Sequence, residues 1–96
     1  MTEHAAKSRY VGPVMKAGEV GDAVLEAIRE DNEGRAIEVE EHASYLRIKV
    51  EGECLIQFAT VGDMLGRDVA LADIEAQMPA FEGFIRTEEG RIRFVS

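Results

Sequence analysis

Apolar and polar residues alternate along this chain with two different periods. Between Glu19 and Asp31, Val20, Ala23, Val24, Ala27 and Ile28 recur at i, i+3, i+4, i+7 and i+8. That spacing lays them on one stripe of an α-helix, because side chains three and four apart share a face. Glu19 and Asp22 fall in the first turn, where free backbone amides favour negative charge. The helix is expected to stop at "DNEG", residues 31–34, with Asn32 or Gly34 in the left-handed conformation of a C-terminal cap.

Beyond Gly34 the period drops to two. Ile37 and Val39 alternate with Glu38 and Glu40, and Leu46, Ile48 and Val50 alternate with Arg47 and Lys49. Such alternation predicts antiparallel strands with one face on a core and the other in water. An acidic outer face beside a basic one predicts cross-strand ion pairs. "EGE" at 51–53 reads as the next turn, and Cys54, Ile56 and Phe58 as the inner face of a third strand. Together these strands predict a meander. Ahead of the helix, "VGPVMKAG" offers Val11, Val14 and Met15 to a short strand. Pro13 has no N–H to give a ladder, so this strand is expected at a sheet edge or starting at the proline.

In the second half, Thr60 with Asp63 approximates a capping box for a short helix that Gly66 ends. Leu71, Ile74 and Met78 share one face of another helix, broken by Pro79. "AFEGFIR", "TEEG" and "RIRFV" then read as strand, turn and strand, with Gly90 where positive φ is needed. The predicted order is β-α-β-β-β-α-α-β-β. This is a small single α+β domain, its antiparallel sheets packed against one main helix and two short helices. Residues 1–10 are polar and are expected to form a flexible tail, leaving 11–96 as the domain.

Composition then narrows the partners. The chain is 46% hydrophobic and 31% charged, as a folded soluble domain is. Its formal net charge of −8, with scattered basic residues, excludes a nucleic-acid face, which needs clustered Lys and Arg. Excess acid instead steers a protein toward basic partner surfaces. The lone cysteine, Cys54, excludes an internal disulfide and a cysteine-based zinc site. No apolar run is long enough to span a membrane, and "MTEHAAKSRY" has no hydrophobic signal core, so a cytoplasmic location is expected.

Catalytic chemistry finds little purchase. His4 falls in the tail and His42 in the turn "EEHA", too far apart in sequence to suggest a ligand cluster. Cys54 opens a strand between Glu51 and Glu53, acidic neighbours that oppose a reactive thiolate. The carboxylates lie on the polar phases of helix and strands, where nothing desolvates them for acid–base work. "VGPVMKAGEVG" matches neither a dinucleotide fingerprint nor a P-loop, and Ser8, Ser44 and Ser96 lack the context of a nucleophile. No catalytic, metal-binding or cofactor-binding residue is therefore expected.

"VGPVMKAGE" before the helix, "DNEGRAIEVEEHASYLRIKVEGE" after it, "LGRDVALADIE" and the terminal "GRIRFV" occur in an order that resembles one family. The chain is similar, from Val11 to Val95, to the regulatory (coupling or effector) component of soluble di-iron multicomponent monooxygenases, closest to the toluene monooxygenase branch. Its short tail and lack of a long insertion set it apart from the methane-oxidising branch. The resemblance implies a cofactor-free protein that docks on the di-iron hydroxylase component. There it would tune oxygen activation, substrate access, regiospecificity and the coupling of NADH use to hydroxylation or epoxidation. Iron, flavin and iron–sulfur groups would belong to other components. Contact residues are expected among exposed groups bracketing the main helix: Val11, Gly12 and Pro13; Glu19, Asp22, Glu26 and Arg29; and Asn32 and Gly34. Tyr45, beside Arg47 and Lys49, is a further candidate hot spot or a cation–π surface cluster. Two other readings compete. A small-ligand sensor predicts a pocket between helix and sheet, and a small acid–base enzyme predicts a cleft carboxylate with a raised pKa.

Overall fold

The computed structural model describes residues 9–96, so the expected tail lies outside the described residues except for Arg9 and Tyr10. The elements run β1 (Tyr10–Lys16), α1 (Glu19–Asp31), β2 (Ile37–Glu41), β3 (Tyr45–Glu51), β4 (Glu53–Gln57), α2 (Phe58–Leu65), α3 (Leu71–Glu75), β5 (Ala80–Glu82), β6 (Phe84–Glu88) and β7 (Arg91–Val95). They build a four-stranded sheet in the order β2-β3-β1-β5 and a three-stranded sheet in the order β4-β7-β6. Every strand pair is antiparallel. The α+β class is as expected. Among the described residues no helix is long and apolar enough to cross a membrane.

The helical stripe does what its spacing promised. Ala23, Val24, Ala27 and Ile28 are buried, and Val20 packs against the core from its margin. They meet Leu46, Ile48 and Val50 of β3, Cys54 and Ile56 of β4, and Ile92 and Phe94 of β7 in one continuous core. Burial of each large aliphatic side chain contributes roughly 1.5–3 kcal/mol before entropy is counted. Glu40 of β2 lies 3.7 Å from Arg47 and 3.9 Å from Lys49, the cross-strand pairs expected from the alternation. Glu82 of β5 reaches the same cations at 3.7 and 4.0 Å from the other side. It does so across Gly12, its partner on β1, which presents no side chain in between.

Several expectations fail, each for a tertiary reason. The meander stops at β3, because β1 takes the edge that β4 would have used, and β4 pairs with β7 instead. Gly52, at φ 82°, turns the chain from one sheet to the other. Pro13 lies inside the sheet, not at an edge. The β1–β3 ladder has its gap at this point, passing from Val11 to Val14, so the residue without an N–H stands where the pairing is interrupted. Phe58 is the first residue of α2, and Thr60 lies within that helix rather than capping it. Gly66 does end α2, left-handed at φ 75°. "AFEGFIR" is two strands in different sheets, broken at Gly83 (φ 97°). Gly90, at φ 77°, closes the β6–β7 hairpin as expected.

Candidate functional site

The residues singled out around α1 separate into three environments. Val11, Gly12 and Pro13 are buried in β1, and Asn32 is only 4% exposed, so these four are not the exposed groups expected but part of the framework. β1 is walled in by β3 on one side and β5 on the other, which removes it from solvent. Glu19, Asp22, Glu26 and Arg29 line the outer face of α1, and Gly34 sits exposed in the turn beyond it. Tyr45 belongs to the outer row of β3 with Arg47 and Lys49, on the face of that sheet opposite the core.

Asn32 shows why the end of α1 is built as it is. Its Nδ2 donates to the Ile28 and Leu55 carbonyls, both at 2.8 Å, and its Oδ1 accepts the Leu55 N–H at 2.8 Å. A side-chain amide matches a strand's donor and acceptor together, so it stands in for one more strand residue. Asn32 has φ −122° and ψ 36°, not the left-handed cap geometry, which appears at Gly34 (φ 91°) instead. Its neighbour Asp31 accepts from the Gln57 backbone N–H at 2.9 Å and the Thr60 hydroxyl at 2.8 Å. A carboxylate from α1 therefore serves the start of α2, the task that Thr60 seemed placed to perform for itself.

The exposed face of α1 borders a shallow groove of about 300 Å³, lined by Glu19, Asp22, Ala23, Glu26, Met64 and Leu65. Met64 is 41% exposed, unusual for its size on so charged a surface. Among the described residues, two loose ion pairs temper the acids: Glu26 with Arg29 one turn on and Glu19 with Arg67, each at 3.9 Å and well exposed. Pairs of that kind contribute little. Carboxylates around a soft apolar floor suit a basic, amphipathic protein surface. Sequence reading missed Met64, which falls one position away from the inward stripe of Phe58, Val61 and Leu65.

Acid–base groups are set for structure. Burial pushes the Cys54 thiol far above its ordinary range, and the Asp31 and Glu53 charges push it further. That thiol is an inert core residue, as its position suggested. Glu88 is drawn down to about 2 by hydrogen bonds from Arg93 and Arg91, the opposite direction from a carboxyl held protonated as a general acid. Among the described residues no group of three or more His, Cys, Asp or Glu is placed to hold a metal ion. Val24, Ile28, Leu46, Ile48 and Ile56 close the space between helix and sheet, each at most 5% exposed, where a ligand sensor would need a pocket.

The sequence model of the MmoB/DmpM family matches residues 9–95. The chain belongs to that family. It is 38% identical over 84 residues to the effector subunit of the alkene monooxygenase system of Xanthobacter autotrophicus (strain ATCC BAA-1158 / Py2), covering 88% of this chain and 83% of the relative. Two chains from structures of phenol hydroxylase–regulatory protein complexes share the fold. One has a TM-score of 0.80 at 20% identity, over 92% of this chain and 99% of the other. The second has a TM-score of 0.76 at 22% identity, over 92% and 100%. The family resembled by the quoted segments is thus the family matched, although its relatives here serve alkene and phenol systems.

Proposed function

We propose that this protein is the effector component of a multicomponent di-iron monooxygenase and acts by binding the hydroxylase component. The observation that carries this reading is the family match along residues 9–95 together with 38% identity to an alkene monooxygenase effector subunit. The physical case is compatible. A closed core, an inert thiol and a carboxylate pulled toward ionisation give the chain no chemistry of its own to contribute. Such a protein changes catalysis only by binding one conformation of its partner more tightly than another. A difference of a few kcal/mol is enough to exchange the dominant state.

On this reading the protein tunes oxygen activation, substrate access and regiospecificity at the partner's iron centre and couples NADH use to hydroxylation or epoxidation of a hydrocarbon. It works in the cytoplasm, without a cofactor. Docking uses the outer face of α1 (Glu19, Asp22, Glu26 and Arg29) with Met64 and the turn at Gly34; Tyr45, on the opposite side of the first sheet, lies outside that contact. Reconstitution tests it. Adding the protein to hydroxylase and reductase raises product formed per NADH to an optimum near equal stoichiometry. Equal turnover and coupling without it, and no complex with the hydroxylase, would overturn the proposal.

A further inference from the structure

A second concave surface lies on the far side of the molecule from α1. The end of the first sheet forms an open-sided groove of about 710 Å³. Val14 is its floor: it follows the outer row of β1, opposite Arg47 on β3 and the small Ala80 on β5. Tyr45 supplies the aromatic lining, since the Phe81 ring turns to the core side and packs on Phe94 at 5.5 Å. The Tyr45 ring is stacked on His42 at 4.3 Å with 22° between planes, which presets one wall. Two cations, Lys16 and Arg47, complete the lining, in a chain whose net charge is −8.

The two cations are not equally engaged within the molecule. Lys16 pairs with no carboxylate among the described residues, whereas Arg47 and Lys49 beside it do. Arg47 is ion-paired with Glu40 and Glu82, each at 3.7 Å and beyond hydrogen-bond length, so a ligand carboxylate competes with those two acids for its donors. The volume is that of a small-molecule site, and such sites combine apolar and aromatic walls with a few polar groups. The two nearby carboxylates limit how much negative charge the groove accepts.

We infer that this groove is a binding site for a small aromatic monoanion of the benzoate class, the ring lying over Val14 beside Tyr45 and the carboxylate meeting Lys16 and Arg47. The site is independent of the docking face on α1, and stands or falls apart from the effector reading. A planar ring gains most against aromatic walls, and a carboxylate matches the fork of a guanidinium.

The test is an amide NMR titration of the full chain with sodium benzoate, benzyl alcohol and sodium acetate. Benzoate produces saturable shifts at Val14, Tyr45 and Ala80. Benzyl alcohol, which keeps the ring and lacks the charge, binds about fivefold more weakly, as loss of an exposed ion contact implies. Acetate does not saturate. The Ala80→Trp variant fills the groove and abolishes the benzoate shifts. The Lys16→Gln/Arg47→Gln variant, which keeps the length of both polar side chains close to the original, brings benzoate down to the affinity of benzyl alcohol. Absent shifts, shifts elsewhere, equal response to acetate (an adventitious ion only), or benzoate binding unchanged in the Lys16→Gln/Arg47→Gln variant would each overturn the site.

Discussion

Asn32 satisfies three hydrogen bonds at 2.8 Å from a position 4% exposed, so removing its amide strips partners from both the helix end and β4. Asn32→Ala is expected to cost about 2–4 kcal/mol, the range for orphaning buried polar groups. Urea unfolding checks this: the midpoint falls while the slope is unchanged. Glu88 makes a different prediction. Its folded pKa is lowered from 4.5 to about 2 by Arg93 and Arg91. The carboxylate therefore adds stability that is fully present above pH 4.5 and is lost as the pH falls toward 2. Glu88→Gln flattens that limb of the stability–pH curve and leaves the limb above pH 5 to 6 unaltered in shape, measured as urea midpoints against pH. Little of this was legible beforehand. An asparagine after a helix reads as a local cap, whereas the bonds to Leu55 span 23 residues and exist only once β4 lies against α1.

Among the elements, α1 was readable from end to end because its signal is local: a stripe of apolar residues every third or fourth position faces whatever core exists. The strands were readable as strands, by alternation, but not as sheets. Pairing partners depend on which edges other strands have already occupied, and no local pattern encodes that. Gly83 marks the cost of the arrangement. It holds φ 97° where the chain passes between sheets, and a Cβ there would stand 2.6 Å from Val11 Cγ1 and 2.7 Å from the Val95 carbonyl oxygen. Gly83→Ala is expected to destabilise by about 3 kcal/mol, combining backbone strain with a clash. Gly34, at φ 91° but with nothing within 4 Å, gives the control. There Gly34→Ala costs about 1 kcal/mol from the backbone alone. Equal losses in thermal or urea unfolding would show that the clash at Gly83 is relieved by movement.

At the scale of the molecule, charge separates two faces. Acids crowd the outer side of α1, while the far groove holds Lys16 and Arg47. If α1 is the docking face, Asp22→Lys/Glu26→Lys slows association with the hydroxylase about tenfold at low salt, with a much smaller change in dissociation, since long-range charge acts on encounter. Stopped-flow rates at rising ionic strength check this, because the difference shrinks as salt screens it. By itself the sequence determined the fold class, the main helix, the strand-forming segments and the family, because periodicity and the order of motifs are properties of neighbours along the chain. Only the tertiary structure decided which strands pair, that Val11, Gly12, Pro13 and Asn32 belong to the interior, and that Met64 and the Tyr45 groove face solvent. Burial is a relation among segments far apart in sequence, and it is settled only when those segments compete for the same core.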